Sequence, residues 1–145
     1  MRFILENKEF DQINNLDWKE IRFVRLGDDD TLIHLGVILP GDSVPNSDIL
    51  LSIQTIQDTL YQPHITVGER LRRRGVAFKV YRALIEKLGH LYSGKGRRLN
   101  PMIDQLWAKL RLQPDLEGAH SEIGDLVWIK GDPNGEQFRE FIENK

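Results

Sequence analysis

The chain has no cysteine and only two methionines in 145 residues. Disulfide scaffolds and thiolate metal sites are therefore excluded, and a reducing cytosol is the simplest compartment. Long apolar runs are missing too, since none approaches the roughly 18 residues of a membrane-spanning helix. The first ten residues carry Arg2, Glu6, Lys8 and Glu9 where a signal peptide needs an apolar stretch. The expectation is a cytoplasmic chain with no membrane partner. Internal repeats, low-complexity tracts and Pro/Ser-rich linkers are also lacking, so residues 1–145 read as a single domain.

What the chain does have is an uneven charge. The net charge is −2, yet residues 70–111 hold 12 of the 20 Lys/Arg and only 2 of the 22 Asp/Glu, giving +10 there against −12 elsewhere. A basic block inside an acidic protein points to an anionic partner.

Hydrophobic patterning divides the chain into two halves. In the first, short apolar runs between turn signals predict a strand at 2–5, a short helix at 10–18 and strands at 21–26, 31–39, 49–56 and 64–67. The Gly-Asp-Asp-Asp stretch at 27–30 predicts a hairpin turn, and Pro63 limits the last of these strands to a start at His64. In the second half the period changes. Lys79, Arg82 and Glu86 form a polar stripe on a helix over 76–88, ended by Gly89. A short strand at 90–93, a helix opened by Asn100 and Pro101 and halted by Pro114, a strand at 126–130 and a terminal helix at 137–143 complete the α+β reading.

The chemically informative stretch joins the strand at 64–67 to the helix at 76–88. Arg70, Arg72, Arg73 and Arg74 fall in five residues immediately before the helix, whose first N–H groups lack intrahelical partners. Free donors, the positive end of the helix dipole and these guanidinium groups together suit a pyrophosphate. Gly75 permits close backbone approach, and Ala77 leaves room beside it. The plainer alternative is a solvated basic loop before an ordinary helix.

Arg72, two residues, Gly75, one residue and Ala77, set between a strand ending at Val67 and an amphipathic helix, resemble the acyl-CoA-binding motif of the GNAT superfamily of N-acetyltransferases. The likeness extends through the strand at 90–93, the Arg97-Arg98-x-Asn100 loop and the helix carrying Leu106, Trp107 and Leu110, covering 49–112. It implies a mixed, mostly antiparallel sheet with splayed central strands and helices packed on both faces. It also implies acetyl-CoA as acyl donor, with its cofactor contacts at Val67, Arg72, Arg73, Arg74, Gly75, Val76, Ala77, Asn100 and Trp107, and no metal. A neutral amine would attack the thioester and expel CoA thiolate. Many members carry a tyrosine acid on the last helix, where this chain has Trp107. Tyr81 and Tyr92 stand as alternatives, with Tyr92 the acid candidate, while His64 and Glu69 flank the strand as candidate bases. The acceptor is an unidentified amine. The acidic excess of residues 1–48 and 115–145 favours a cationic one, and pairing of two copies through a sheet edge is a further expectation.

Other signals carry less. Gly89, Gly94, Lys95 and Gly96 nearly spell a P-loop but follow a helix and lack its Ser/Thr. Asp28, Asp29 and Asp30 suit a solvated turn, and the four histidines are dispersed. Ser93 and Ser121 lie in no nucleophile elbow. A nucleic-acid-binding module using residues 70–111 is the rival from another class, as is an acyl-CoA binder without catalysis. No RNA-recognition, KH or zinc-finger signature accompanies the basic block.

Overall fold

The computed structural model describes residues 15–72, 74–95 and 101–143. The expected strand at 2–5, most of the expected helix at 10–18, and the loop residues 96–100 lie outside the described residues. The end of that helix region is a 3₁₀ turn, Trp18–Glu20, capped by Asp17, which accepts from the Lys19 N–H at 3.0 Å.

Four strands follow as an antiparallel meander: β1 (Arg22–Asp29), β2 (Leu32–Ile38), β3 (Ile49–Ile56) and β4 (Leu60–Val67). In β3 the period-2 pattern buries Ile49, Leu51 and Ile53 and exposes Leu50. The expected turn at 27–30 is tighter than the sequence suggested. β1 continues to Asp29 through a bulge between Arg25 and Gly27, and the chain reverses around Asp30, whose φ is +48°. The bulge takes up the extra residue and leaves Leu26 exposed.

β4 begins four residues earlier than expected and carries Pro63 within it, opposite Ile53. The Tyr61 N–H points away from β3, because it donates to His90 Nε2 at 3.3 Å. Alternation then puts the Pro63 nitrogen on the same outer edge, where its missing N–H costs no bond to β3. The proline thus marks β4 as the end of its sheet.

The second half contains α1 (Val76–Leu88), β5 (His90–Tyr92), α2 (Pro101–Arg111), β6 (Leu116–Ser121), β7 (Gly124–Ile129) and α3 (Gly135–Glu143). Gly75 and Gly89 bracket α1 with φ of +74° and +91°, and the Gly89 N–H closes it on the Ile85 carbonyl at 2.7 Å. β5, β7 and β6 form a second antiparallel sheet. β6 was not anticipated: Gly118, His120 and Ser121 are weak strand formers, and the segment is held as a strand by its hairpin with β7, from Leu116 opposite Ile129 to Ser121 opposite Gly124.

The main core runs under both sheets. Val80, Leu84 and Ile85 of α1 and Leu110 of α2 pack with Leu51, Ile53, Leu91 and Val127, all nearly inaccessible, each contributing about 1.5–3 kcal/mol by burial. A second cluster, with Leu60, Tyr92, Trp128, Phe138 and Ile142, joins α3 to the opposite side of the second sheet. Arg82 departs from the polar stripe expected on α1: it is 1% exposed. Its guanidinium lies 4.1 Å from the Trp18 ring centroid and pairs with Asp115 and Glu86, so the polar face is covered by the 3₁₀ turn and the start of β6. Among the described residues no helix is long and apolar enough to cross a membrane.

β4 and β5 run side by side, yet no strand ladder joins the two sheets. Their tie runs from Tyr61 and Gln62 of β4 to His90 at the start of β5 and Ser93 just past its end. Besides the Tyr61–His90 bond, the two rings stack with centroids 5.1 Å apart, and Gln62 Nε2 donates to the Ser93 carbonyl at 3.4 Å. Burial pushes the His90 pKa below the ordinary histidine range, against smaller opposing contributions from Asp132 and the Thr59 backbone. An unfolded histidine, near pKa ~6.5, then takes a proton more readily than the folded one, so this stabilisation is complete above that pH and is lost below it. Urea unfolding at neutral and mildly acidic pH is expected to show stability falling as pH drops, with a smaller fall in His90→Leu. Equal falls in both proteins would refute this role.

Candidate functional site

β5 ends at Tyr92 while β4 continues to Val67, and the outer edge of β4 has no ladder partner. The same alternation that turns Tyr61 outward points the Ile65 N–H and C=O and the Val67 C=O into the space left open. Arg72 Nε takes the Val67 carbonyl at 2.9 Å. The space is a groove of about 790 Å³, with His64, Ile65 and Val67 on one wall and Ala77, Tyr81 and Trp107 on the other. Ser93 closes one end, and Arg72 lies toward the loop that leads into α1.

That loop is firmly held. The Gly68 N–H donates to the Asp48 carbonyl at 2.6 Å, a 3₁₀ turn follows at Glu69–Leu71, and buried Leu71 anchors it in the core. Arg74 Nε donates to the Arg70 carbonyl at 3.1 Å. The left-handed conformation of Gly75 lets the chain enter α1 abruptly, and a Cβ built there meets nothing within 4 Å. The helix N-terminus therefore has open space beside its first turn.

Of the residues singled out from sequence, His64, Val67, Arg72, Ala77 and Trp107 line this one groove. Arg74 and Gly75 belong to the loop at its end. Val76 is 1% exposed with its side chain in the core, so only its backbone is available to a ligand. Arg73 and Asn100 lie outside the described residues. Glu69 is exposed on the 3₁₀ turn and does not line the groove. Tyr92 is not brought to the groove: strand alternation turns it into the second cluster, where its hydroxyl donates to the Ile123 carbonyl at 2.6 Å. Tyr81 does reach the wall, beside Trp107 at 5.6 Å between ring centroids, and burial holds its hydroxyl far above the ordinary phenol range, hence un-ionised.

Sequence reasoning missed Ser52, Gln62 and Ser93, which also line the groove. Ser52 was visible as a polar residue in an apolar strand, but its place opposite His64 depends on register. The basic block, meanwhile, separates into unrelated surfaces. Arg82 is buried in ion pairs, Arg111 pairs with Asp125, and Lys109 lies over the Phe78 ring at 4.2 Å. A second hollow, of about 520 Å³, has Asp17, Glu20, Asp42 and Asp48 among its walls together with Arg70. Among the described residues no three His, Asp or Glu side chains are grouped to hold a metal ion. The chain matches no protein-family model and no curated protein.

The end of the groove rests on a buried carboxylate. Asp125, 1% exposed, is paired with Arg111 of α2 and His120 of β6. Its backbone brackets Ser93, with Asp125 N–H donating to Ser93 Oγ at 2.8 Å and Ser93 N–H donating to the Asp125 carbonyl at 2.9 Å. Removing the guanidinium strands much of a buried charge, so Arg111→Met is expected to lower stability in urea unfolding by about 3 kcal/mol. A loss under about 1 kcal/mol, the range of an exposed pair, would contradict the strut.

Proposed function

We propose that the chain is an N-acetyltransferase that uses acetyl-CoA, similar in organisation to the GNAT superfamily, with the groove beside β4 as the acyl-CoA site. The observation that carries this reading is convergence: Val67, Arg72, Ala77 and Trp107, which the motif resemblance names as cofactor contacts, line one cavity. That cavity lies along the edge of β4 that has no ladder partner, in a fold with an antiparallel four-stranded sheet and a three-stranded one. Both features suit the splayed strands that the resemblance implies.

The chemistry follows from the walls. Pantetheine carries two amides, and the free edge of β4 offers the Ile65 N–H and C=O to pair with them as an added strand would. The pyrophosphate goes to the first-turn N–H groups of α1, with the loop arginines neutralising its charge. The thioester then lies toward His64 and Ser52. An uncharged amine attacks its carbonyl carbon, the tetrahedral intermediate collapses, and the C–S bond breaks to release CoA thiolate. Tyr81, un-ionised on the wall, is the hydroxyl this reading assigns to that sulfur.

Isothermal titration tests the reading directly. Acetyl-CoA and CoA are expected to bind with micromolar affinity, and Ala77→Trp, which fills the groove at a half-buried position, to weaken binding at least ~10-fold, about 1.4 kcal/mol, while circular dichroism stays unchanged. No binding at millimolar ligand would overturn the proposal. Binding with no acetylation of any amine in a broad panel would instead leave an acyl-CoA binder without catalysis.

A further inference from the structure

His34 of β2, Ser52 of β3 and His64 of β4 stand directly opposite one another across three adjacent strands. They therefore form one polar row on the sheet face away from α1. Ser52 Oγ lies 2.9 Å from His34 Nδ1. His64 Nε2 lies 3.1 Å from Gln54 Oε1, so that nitrogen is engaged as a donor to the amide oxygen. Ser52 and His64 are shared by two spaces: the large groove, and a hollow of about 290 Å³ that also has Thr31, Leu32 and Gln54 on its walls. A molecule in the hollow meets one in the groove at Ser52.

We propose that Ser52 and His34 act together as the base that frees the acceptor amine, which reaches the thioester through this hollow; the assignment rests on the acetyltransferase reading above. With Ser52 donating to His34 Nδ1, the serine oxygen keeps its lone pairs for an incoming ammonium. One ammonium proton passes to Ser52 Oγ as the serine proton passes to His34 Nδ1, leaving neutral amine and imidazolium. The amine nitrogen bonds to the acetyl carbon, the C–S bond breaks, and the second nitrogen proton goes to the CoA thiolate. The imidazolium returns its proton to water, so ammonium and acetyl-CoA give amide, CoA thiol and one proton. Both side chains are half-buried, which limits competing water. On the β1 side Asp28, bound mainly to Arg25, also attracts a charged His34. The nucleophile–base spacing is that of activated hydroxyls generally.

The test compares two acceptors that differ in their need for a base. Propylamine is protonated at neutral pH, whereas hydroxylamine is largely not. In Ser52→Ala and in His34→Gln, acetyl transfer to propylamine is expected to fall ~100-fold or more while transfer to hydroxylamine changes by less than ~3-fold. Acetyl-CoA affinity should be unchanged in His34→Gln, which lies outside the groove lining, and Ser52→Thr should recover propylamine transfer because it keeps the hydroxyl. Equal losses on both amines, or no loss on either, overturn the Ser52–His34 assignment and leave the acetyltransferase reading standing. A wild-type protein that acetylates neither amine overturns that reading and the base together.

Discussion

The structure depends on how its two sheets meet. A single backbone donor, the Tyr61 N–H, reaches His90 Nε2, and the tie is possible only while that nitrogen keeps its lone pair. The stacked rings hold the start of β4 against the start of β5, and Gln62 donates to the Ser93 carbonyl just past the end of β5. Pro63 then removes the next N–H on that edge, and no ladder joins β4 to β5. The groove runs along this unladdered edge of β4.

Everything else at the site serves to keep that opening in shape. The core beneath it is continuous, with Tyr81 of α1, Trp107 of α2 and Leu91 of β5 all buried in it. The end of β5 is fixed by Ser93 and the backbone of Asp125, itself held by Arg111. At the far end, Leu71 and the Gly68–Asp48 bond set the loop so that α1 starts at the edge of the groove. A polar sheet edge, an apolar wall and a helix N-terminus are thereby aligned along one path. That sequence of environments supports the proposed amide-bearing ligand that ends in a polyphosphate.

The elements with strong local signals could be read from sequence. The strand at 49–56 and the helix at 76–88 have the bounds expected, because alternation and the two flanking glycines are unambiguous. Two errors share a cause. Pro63 was read as delaying the start of a strand to His64, and Arg82 as facing solvent, because a residue's chemistry was judged without its neighbours. The edge position of β4 makes the proline harmless, and Trp18 with Asp115 covers the arginine. The loop arginines were legible as a charge cluster next to a helix start. Ser52, His34 and Gln62 were not, since their proximity to the groove comes from cross-strand register, which no local pattern encodes.

In the proposed function, the outer edge of β4 binds the acyl-CoA chain as an added strand would. Amide hydrogen exchange read residue by residue, with and without saturating acetyl-CoA, tests this most directly. The account predicts new protection at Ile65 and at the first-turn amides of α1, with the amides of β1 unchanged. Unchanged exchange at Ile65 alongside protection at another surface, such as the hollow around Asp42 and Asp48, would contradict it.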